Sequence, residues 1–567
     1  MKNWRLYIVF AAVLLFAGLI IARLVFLQVI NGELYLALAK GQQEIFSSVS
    51  GFRGEIFLYD KDNLVLAAGN KSTRYCYLSP KFIKDDELVA EKLSSILGLD
   101  EKELLKNLQG NSSSFLLLKR DISDLETRQI QELNLDYVYI GEEMVRFYPN
   151  NTLASDVLGF VNQEGIGQYG VEGYWDDFLK GREAWQKIEY GPFGKFLQGE
   201  SALSAKGNDL VLTIDRNIQL KAEELLTKFS KDFKYQGGQI IVADPKTGKI
   251  LAMADYPFFD PNNYKQYDKM GVFQNKAIQA VYEPGSVFKG ITMAAALNEG
   301  KITPETTYID HGYVKVSDKV INNYEHRAWG KRTMTEVLEK SINTGAVFAQ
   351  SQLSNKVFLD YLERFGAFKK TNIGLQGEVY SENKEFKKGW AVNFATAAFG
   401  QGIEMTPLQL VRAYCAIANK GAMPNLYLAE GTREDDKIVP FEREESTSQV
   451  ISQDTASDLV KMLVSVSENG YSKPAQVDGY YIAGKTGTSQ ISYSALGINK
   501  SGYSDETWQS FIGFAPAFDP KFVILIKLDD PVTRSANESA TLVFKEMAQY
   551  ILDYYQVPPE KENDSAF

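Results

Sequence analysis

A serine hydroxyl is a weak nucleophile near neutral pH and needs a neighbouring base to take its proton. The segment Tyr282-Glu283-Pro284-Gly285-Ser286-Val287-Phe288-Lys289 offers such a pair. Positions three apart share one face of a helix, so Ser286 and Lys289 point the same way about one turn apart. Pro284 and Gly285 stand where a helix begins. The hydroxyl then lies near a helix N-terminus, where free N–H groups and the dipole favour developing negative charge. Taken alone, Ser-x-x-Lys also reads as a helix start with a solvated lysine, and only the rest of the chain decides between the two.

Two further pieces come later in order, Ser341-Ile342-Asn343 and Lys485-Thr486-Gly487-Thr488. Ser-x-x-Lys, Ser-x-Asn, Lys-Thr-Gly is the ordered triplet of the penicillin-binding active-site-serine acyltransferases. Competing copies exist. Ser-x-Asn recurs at Ser381, Ser467 and Ser535, and Lys-Thr-Gly at Lys246. Lys246 lies between two apolar runs, Gly238 to Ala243 and Ile250 to Ala254, and reads as the polar turn of a hairpin. Lys485 follows the short strand signal Tyr480 to Gly484, and Trp508 to Pro516 offers a second strand beyond it. Ser341 ends a helical run, Thr335 to Lys340, whereas Ser381 and Ser467 sit among polar residues and Ser535 breaks the order.

With these residues in place the chain resembles the class B penicillin-binding proteins, monofunctional peptidoglycan D,D-transpeptidases. The resemblance runs along nearly the whole chain. Gly207 to Asp215 looks like the family's entry strand to its catalytic domain, and Asp244 to Met253 resembles its hairpin, which explains the second Lys-Thr-Gly. Phe399-Gly400-Gln401-Gly402-Ile403-Glu404-Met405-Thr406-Pro407-Leu408-Gln409-Leu410 is a long match. Arg146-Phe147-Tyr148-Pro149 and Gly170-Val171-Glu172 match the non-catalytic domain. One departure stands at Arg53 to Asn63. Two residues are added there, and Lys61, Asp62 and Asn63 replace Arg, Asn and Gly, where Asn63 still tolerates a left-handed turn.

The resemblance implies roles. Ser286 attacks the carbonyl between the terminal D-alanines of a stem peptide, and a neutral Lys289 accepts its proton. Ser341 relays a proton to the leaving amine, Asn343 bonds the substrate amide, and Lys485 depresses the proton affinity of Lys289. Backbone N–H groups of Ser286 and Thr488 form the oxyanion hole, each such donor worth about 3 kcal/mol in the transition state. Lys485 with the Thr486 and Thr488 hydroxyls holds the terminal carboxylate, beside Gly487. An amine from a second stem peptide resolves the acyl-enzyme, with D-Ala-D-Ala carboxypeptidase activity as a side reaction. β-Lactams are implied as covalent inhibitors. A membrane glycan polymerase of the SEDS family and other division proteins are implied as partners. The Phe399 to Gly402 context looks closer to the division and sporulation branch than to the elongation branch. Two other readings stay open here: a β-lactamase or β-lactam sensor, which shares the triplet, and a non-catalytic scaffold that activates a polymerase.

At 567 residues the chain exceeds one ordinary domain. A net charge of −11 argues against a nucleic-acid partner. Two histidines, His311 and His326, and two cysteines, Cys76 and Cys415, leave no Cys/His cluster, so no metal or cofactor is expected. Lysine is the better base candidate, and both thiols are expected to be buried and free.

The sequence predicts an α+β multidomain chain: a stub at 1–5, a transmembrane helix at 6–30, a non-catalytic pedestal or dimerisation domain at 31–205, a transpeptidase domain at 206–557 and a disordered tail at 558–567. The catalytic domain should hold an antiparallel sheet flanked by helices, like a β-lactamase. Tyr7 to Ile30 is apolar apart from Arg23 and Gln28. As a helix it is roughly 36 Å long, enough for a bilayer core of about 30 Å. Lys2 and Arg5 precede it, which keeps the N-terminus cytoplasmic and exports the rest. Ala37-Leu38-Ala39 offers a cleavage site, but behind a polar stretch, so a retained anchor is expected.

Overall fold

The computed structural model describes residues 4–25, 44–49, 52–111, 113–181, 184–190, 196–201, 206–435, 437–443 and 447–561. The chain divides into two compact units, Met1–Gly54 with Lys180–Asn208, and Glu55–Leu179 with Asp209–Phe567. The first contains a helix, Trp4–Val25, and an antiparallel sheet in the order Glu44–Val49, Ala184–Tyr190, Phe196–Ser201. Side chains are described at only some positions of that helix. Among the described residues no helix is long and apolar enough to cross a membrane. The expected anchor beyond Val25, and Ala37-Leu38-Ala39, lie outside the described residues.

In the second unit the site is carried by a five-stranded antiparallel sheet, ordered Ile250–Tyr256, Gly237–Ala243, Phe522–Asp529, Tyr503–Ala515, Ala483–Ser492. Seven of the eight residues of its central strand, Phe522 to Leu528, are buried. Successive side chains point to opposite faces, so an unbroken buried run means that both faces are covered. Phe522, Ile524 and Ile526 meet the helices Arg216–Phe233 and Ala540–Tyr554. Val523 and Leu525 join the opposite core with the helix Pro407–Ala418. Each such fully buried aliphatic side chain contributes about 1.5–3 kcal/mol.

The run Thr406-Pro407-Leu408-Gln409 has a local physical reading. Thr406 is the N-cap, Pro407 takes the first turn, and Gln409 closes a capping box with Thr406. The helix it starts is buried along its entire length. Its Tyr414 hydroxyl donates to the Val287 carbonyl at 2.6 Å. It packs so closely on the helix Lys289–Asn298 that a Cβ at Gly290 would lie 2.7 Å from that hydroxyl.

The pedestal residues share a second sheet with the catalytic ones. Leu210–Asp215 pairs parallel with Ile56–Asp60 and antiparallel with Ala429–Glu434. Asn63–Leu78 continues the sheet and also pairs with Val138–Phe147. Helices Asp86–Leu97, Glu101–Leu108 and Asp124–Glu132 cover its far end around Cys76, Leu93 and Leu104. The two matched pedestal segments meet at the other end of this strand pair: Arg146 Nε donates to Glu172 Oε1 at 2.6 Å, with the Tyr148 hydroxyl 3.2 Å from the same oxygen.

The structure adds detail at the Asp60–Asn63 turn, at the C-terminal segment and at Ser467. The left-handed residue of the Asp60–Asn63 turn is Lys61, at φ 55°, while Asn63 opens the next strand. Lys61 tolerates this because its N–H reaches Asp215 Oδ2 and its ammonium lies over the Tyr554 ring. Glu560 and Lys561 are held against the fold, their amides donating to the Gly479 carbonyl and Lys561 pairing with Glu468, while the rest of the expected tail, 562–567, lies outside the described residues. Ser467, one of the rejected Ser-x-Asn copies, lies inside the helix Gln453–Asn469. Cys76 and Cys415 are both buried and free. Burial pushes the Cys76 thiol up to about 12 and raises that of Cys415 as well.

Candidate active site

Ser286 sits in a 3-10 turn, Gly285–Phe288, that runs directly into the helix Lys289–Asn298. In a 3-10 turn residues three apart eclipse, which places Lys289 Nζ 3.0 Å from Ser286 Oγ. Gly285 is needed for two reasons. Its φ is +61°, and a Cβ there would lie 3.0 Å from that of Ser489 on the facing strand. Gly400 closes the other side: the Gly285 amide donates to its carbonyl at 3.0 Å, and a Cβ at Gly400 would stand 2.2 Å from the Gly285 oxygen. The Phe399 to Gly402 segment thus supports the nucleophile turn by close backbone approach.

Ser341 follows the helix Met334–Glu339 and precedes Asn343–Ser351. Its φ of +53° costs a non-glycine residue about 1–2 kcal/mol, and this turns both its carbonyl and its hydroxyl toward the lysines. Lys289 Nζ donates to the Ser341 carbonyl at 2.6 Å and to Asn343 Oδ1 at 2.8 Å, and lies 3.2 Å from Ser341 Oγ. Lys485 enters from the edge strand Ala483–Ser492. Its Nζ donates to Ser341 Oγ at 3.0 Å and to the Thr486 carbonyl at 3.0 Å, with Thr486 Oγ1 at 3.4 Å. Ser286, Lys289, Ser341, Asn343 and Lys485, far apart in sequence, therefore form one hydrogen-bonded chain.

Lys289 and Lys485 are completely buried. Burial, and then the charge of Lys485, hold Lys289 well below the usual lysine range. Burial alone pushes Lys485 down to about 7. A neutral amine has two N–H groups and one lone pair. The Ser341 carbonyl and Asn343 Oδ1 are acceptors and take the two N–H groups. The lone pair is left for the Ser286 hydroxyl. This arrangement is that of a base facing a nucleophile.

Gly487 brings its strand against the nucleophile turn, where a Cβ would lie 3.0 Å from the Pro284 oxygen. Thr488 does not join the lysine network, because its Oγ1 accepts from the Ala536 amide at 3.1 Å. As an edge strand, Ala483–Ser492 pairs along one side with Tyr503–Ala515. Its other edge offers backbone groups to an extended peptide. Lys246 is far from this chemistry in character: it sits on the hairpin turn and pairs with Asp519 at the surface. His311 and His326 are exposed. Among the described residues no group of His, Cys, Asp and Glu is placed to hold a metal ion.

Sequence reasoning missed several residues of this site. Glu283, just before the nucleophile turn, accepts from the Tyr503 hydroxyl at 2.9 Å. Burial pushes its carboxyl up to about 7. Asn322 gives its carbonyl to Asn343 Nδ2 at 3.2 Å. Neither pairing has a local signal, because the partners are remote in sequence and of ordinary type.

Comparison with known proteins agrees with this geometry. The family description "Penicillin binding protein transpeptidase domain" matches residues 238–549, and "Penicillin-binding Protein dimerisation domain" matches residues 48–212. The chain is 32% identical over 535 residues to the stage V sporulation protein D of Bacillus subtilis, spanning 93% of this chain and 81% of that protein. It is 28% identical to the peptidoglycan D,D-transpeptidase FtsI of Buchnera aphidicola, spanning 98% and 96%. The crystal structure of penicillin-binding protein 3 of Mycobacterium tuberculosis, complexed with aztreonam, superposes with a TM-score of 0.69 at 24% identity. It covers 91% of this chain and 98% of the other, a likeness of fold.

Proposed function

The chain belongs to the class B penicillin-binding proteins, with a dimerisation and a transpeptidase domain, and on that premise we propose that it is a serine-type peptidoglycan D,D-transpeptidase that cross-links stem peptides. One observation carries the reading. Lys289 Nζ lies 3.0 Å from Ser286 Oγ, with two acceptors, the Ser341 carbonyl at 2.6 Å and Asn343 Oδ1 at 2.8 Å, placed to take its N–H groups.

The reaction follows from that geometry. Ser286 Oγ adds to the carbonyl of the penultimate D-alanine while its proton passes to Lys289. The oxyanion faces the helix N-terminus and the edge strand. Ser341, bonded to both lysines, returns a proton to the leaving D-alanine amine as the C–N bond breaks. Charged Lys485 holds the terminal carboxylate beside Thr486 and Thr488. The acyl-enzyme then gives its acyl group to the amine of a second stem peptide. β-Lactams take the donor's place and acylate Ser286, a reading supported by the relative solved with aztreonam.

The test supplies the protein with a stem peptide ending in D-Ala-D-Ala and with a second, amine-bearing one. The expected product is a cross-linked dimer that has lost one D-alanine, in a reaction that penicillin blocks. Rapid turnover of penicillin with no dimer would favour the β-lactamase reading instead.

The same reading extends to the biological setting. A relative named for sporulation and the Phe399 to Gly402 context favour septal synthesis over elongation. The apolar sequence run Tyr7 to Ile30, preceded by Lys2 and Arg5, supports a single-pass anchor in the cytoplasmic membrane with the catalytic unit outside. Division proteins and a SEDS-type polymerase are the proposed partners. N-terminal sequencing of the membrane-fraction protein should begin at or near Met1. A start at Lys40 would show that the segment is removed.

A further inference from the structure

Asn343 faces Lys289 through its amide oxygen, and this orientation matters. A flipped amide would present Nδ2 to the lysine and occupy the lone pair that Ser286 needs. Oxygen and nitrogen of such an amide are told apart by their partners. Here Nδ2 donates to the Asn322 carbonyl at 3.2 Å, which can only accept, so Oδ1 must face Lys289.

The Asn322 carbonyl belongs to a peptide group that is fixed at both ends. Its own N–H, that of Asn323, donates to the Gly312 carbonyl at 3.0 Å. In a trans peptide the N–H and C=O point opposite ways, so holding one aims the other. The Asn323 side chain fixes the same residue again. Its Nδ2 donates to both Asp310 oxygens, at 3.0 and 2.9 Å, and to the Arg327 carbonyl at 3.0 Å. Its Oδ1 accepts from the Thr344 amide at 3.1 Å. That last bond caps the helix Asn343–Ser351, whose N-cap residue, Ile342, has no side-chain cap of its own. Asp310 binds the same helix directly, accepting from Thr344 Oγ1 at 2.6 Å, and is held by the amides of Gly312 and Trp329. Asp310, Asn323 and Thr344 are all buried. The tight turn from Asp310 to Gly312 and the short hairpin Tyr313–Val316 with Lys319–Asn322 thus reach across to the second motif.

We propose that Asp310 and Asn323 are positioning residues of the transpeptidase: they aim the Asn322 carbonyl and cap the Asn343 helix, so that Asn343 turns its oxygen to Lys289 and leaves the lysine lone pair to Ser286. The inference rests on the proposed acylation chemistry. It assigns to a hairpin outside the three motifs the task of keeping the base usable.

The test measures single-turnover acylation by a fluorescent penicillin in the full chain, for wild type, Asn323→Ala and Asp310→Asn. The amplitude counts folded, competent molecules, and the rate constant reports the alignment of base and nucleophile. The expected result is a rate constant lowered about 10- to 100-fold in each variant, the range for losing a buried hydrogen-bond partner, with amplitude kept. Variants that lose amplitude but keep the wild-type rate would show a merely structural role and overturn the proposal. So would rate constants within twofold of wild type. A wild type that takes no label at all would overturn the transpeptidase reading itself, and that outcome is distinct from the others.

Discussion

Replacing Ser286 by alanine should abolish covalent labelling by penicillin, a loss of at least about 10³-fold, with the fold intact. Hydrogen bonding alone does not single this serine out. Ser341 Oγ is also within 3.2 Å of Lys289 and 3.0 Å of Lys485. The difference lies in the backbone around each. The Ser286 turn begins a helix, so its leading N–H groups and the positive end of the dipole face a developing oxyanion. Ser341 comes at the end of the helix Met334–Glu339, and its amide already donates to the Leu338 carbonyl at 3.2 Å. That amide is therefore already spent and cannot serve an oxyanion. Ser341→Ala should therefore slow acylation without moving it. Peptide mapping of the wild-type adduct checks the assignment directly, and an adduct on the peptide that carries Ser341 would show that Ser286 is not the nucleophile.

The parts of this molecule legible in its sequence are those with a local physical cause. Phe522 to Leu528 reads as a buried strand because a run apolar at every position but Lys527 leaves no solvent face. Thr406-Pro407-Leu408-Gln409 reads as a helix start because cap, proline and capping box each have fixed offsets. Lys246 could be set aside because Pro245 and Gly248 mark a turn between two strands, and the hairpin Gly237–Ala243 with Ile250–Tyr256 stands there. Ser286 and Lys289 could be paired because helical geometry fixes what lies three residues on.

The rest depends on contacts that no local pattern encodes. The carbonyl of Asn322 orients Asn343, yet any residue supplies a carbonyl, so the sequence carries no mark of it. Tyr503 reaches Glu283 only because the strand pairing Ala483–Ser492 with Tyr503–Ala515 brings it there. The left-handed turn fell to Lys61 rather than Asn63, against residue preference, since Asp215 and the Tyr554 ring are on hand to hold it. Tertiary context outweighs a preference of about 1 kcal/mol. The sharing of one sheet by Ile56–Asp60 and Leu210–Asp215 was equally invisible, because a parallel pairing across so long a connection leaves no turn signature.

Replacing Lys289 by arginine should also reduce acylation by at least about 10³-fold, and for a reason that the pH dependence exposes. Burial and the nearby Lys485 hold Lys289 well below the usual lysine range, so its neutral, proton-accepting form is populated at lower pH than that of an exposed lysine. Acylation needs that form. In the wild type the second-order rate constant should rise with pH as Lys289 loses its proton. Lys485 must do the opposite and stay charged to bind the substrate carboxylate. With its proton affinity pushed down to about 7 in the free protein, the same rate constant should fall again as pH rises past neutrality. The profile is thus a bell, and since both amines bond Ser341 its limbs belong to the pair. Arginine keeps its proton throughout, so no pH between about 5 and 10 should recover the activity. A buried guanidinium could instead disturb packing. Lys289→Met, apolar and of similar length, separates the two effects: it should retain the fold by circular dichroism and be equally inactive. Near-normal acylation in either variant, or a wild-type profile flat across this range, would show that the proton of Ser286 goes elsewhere.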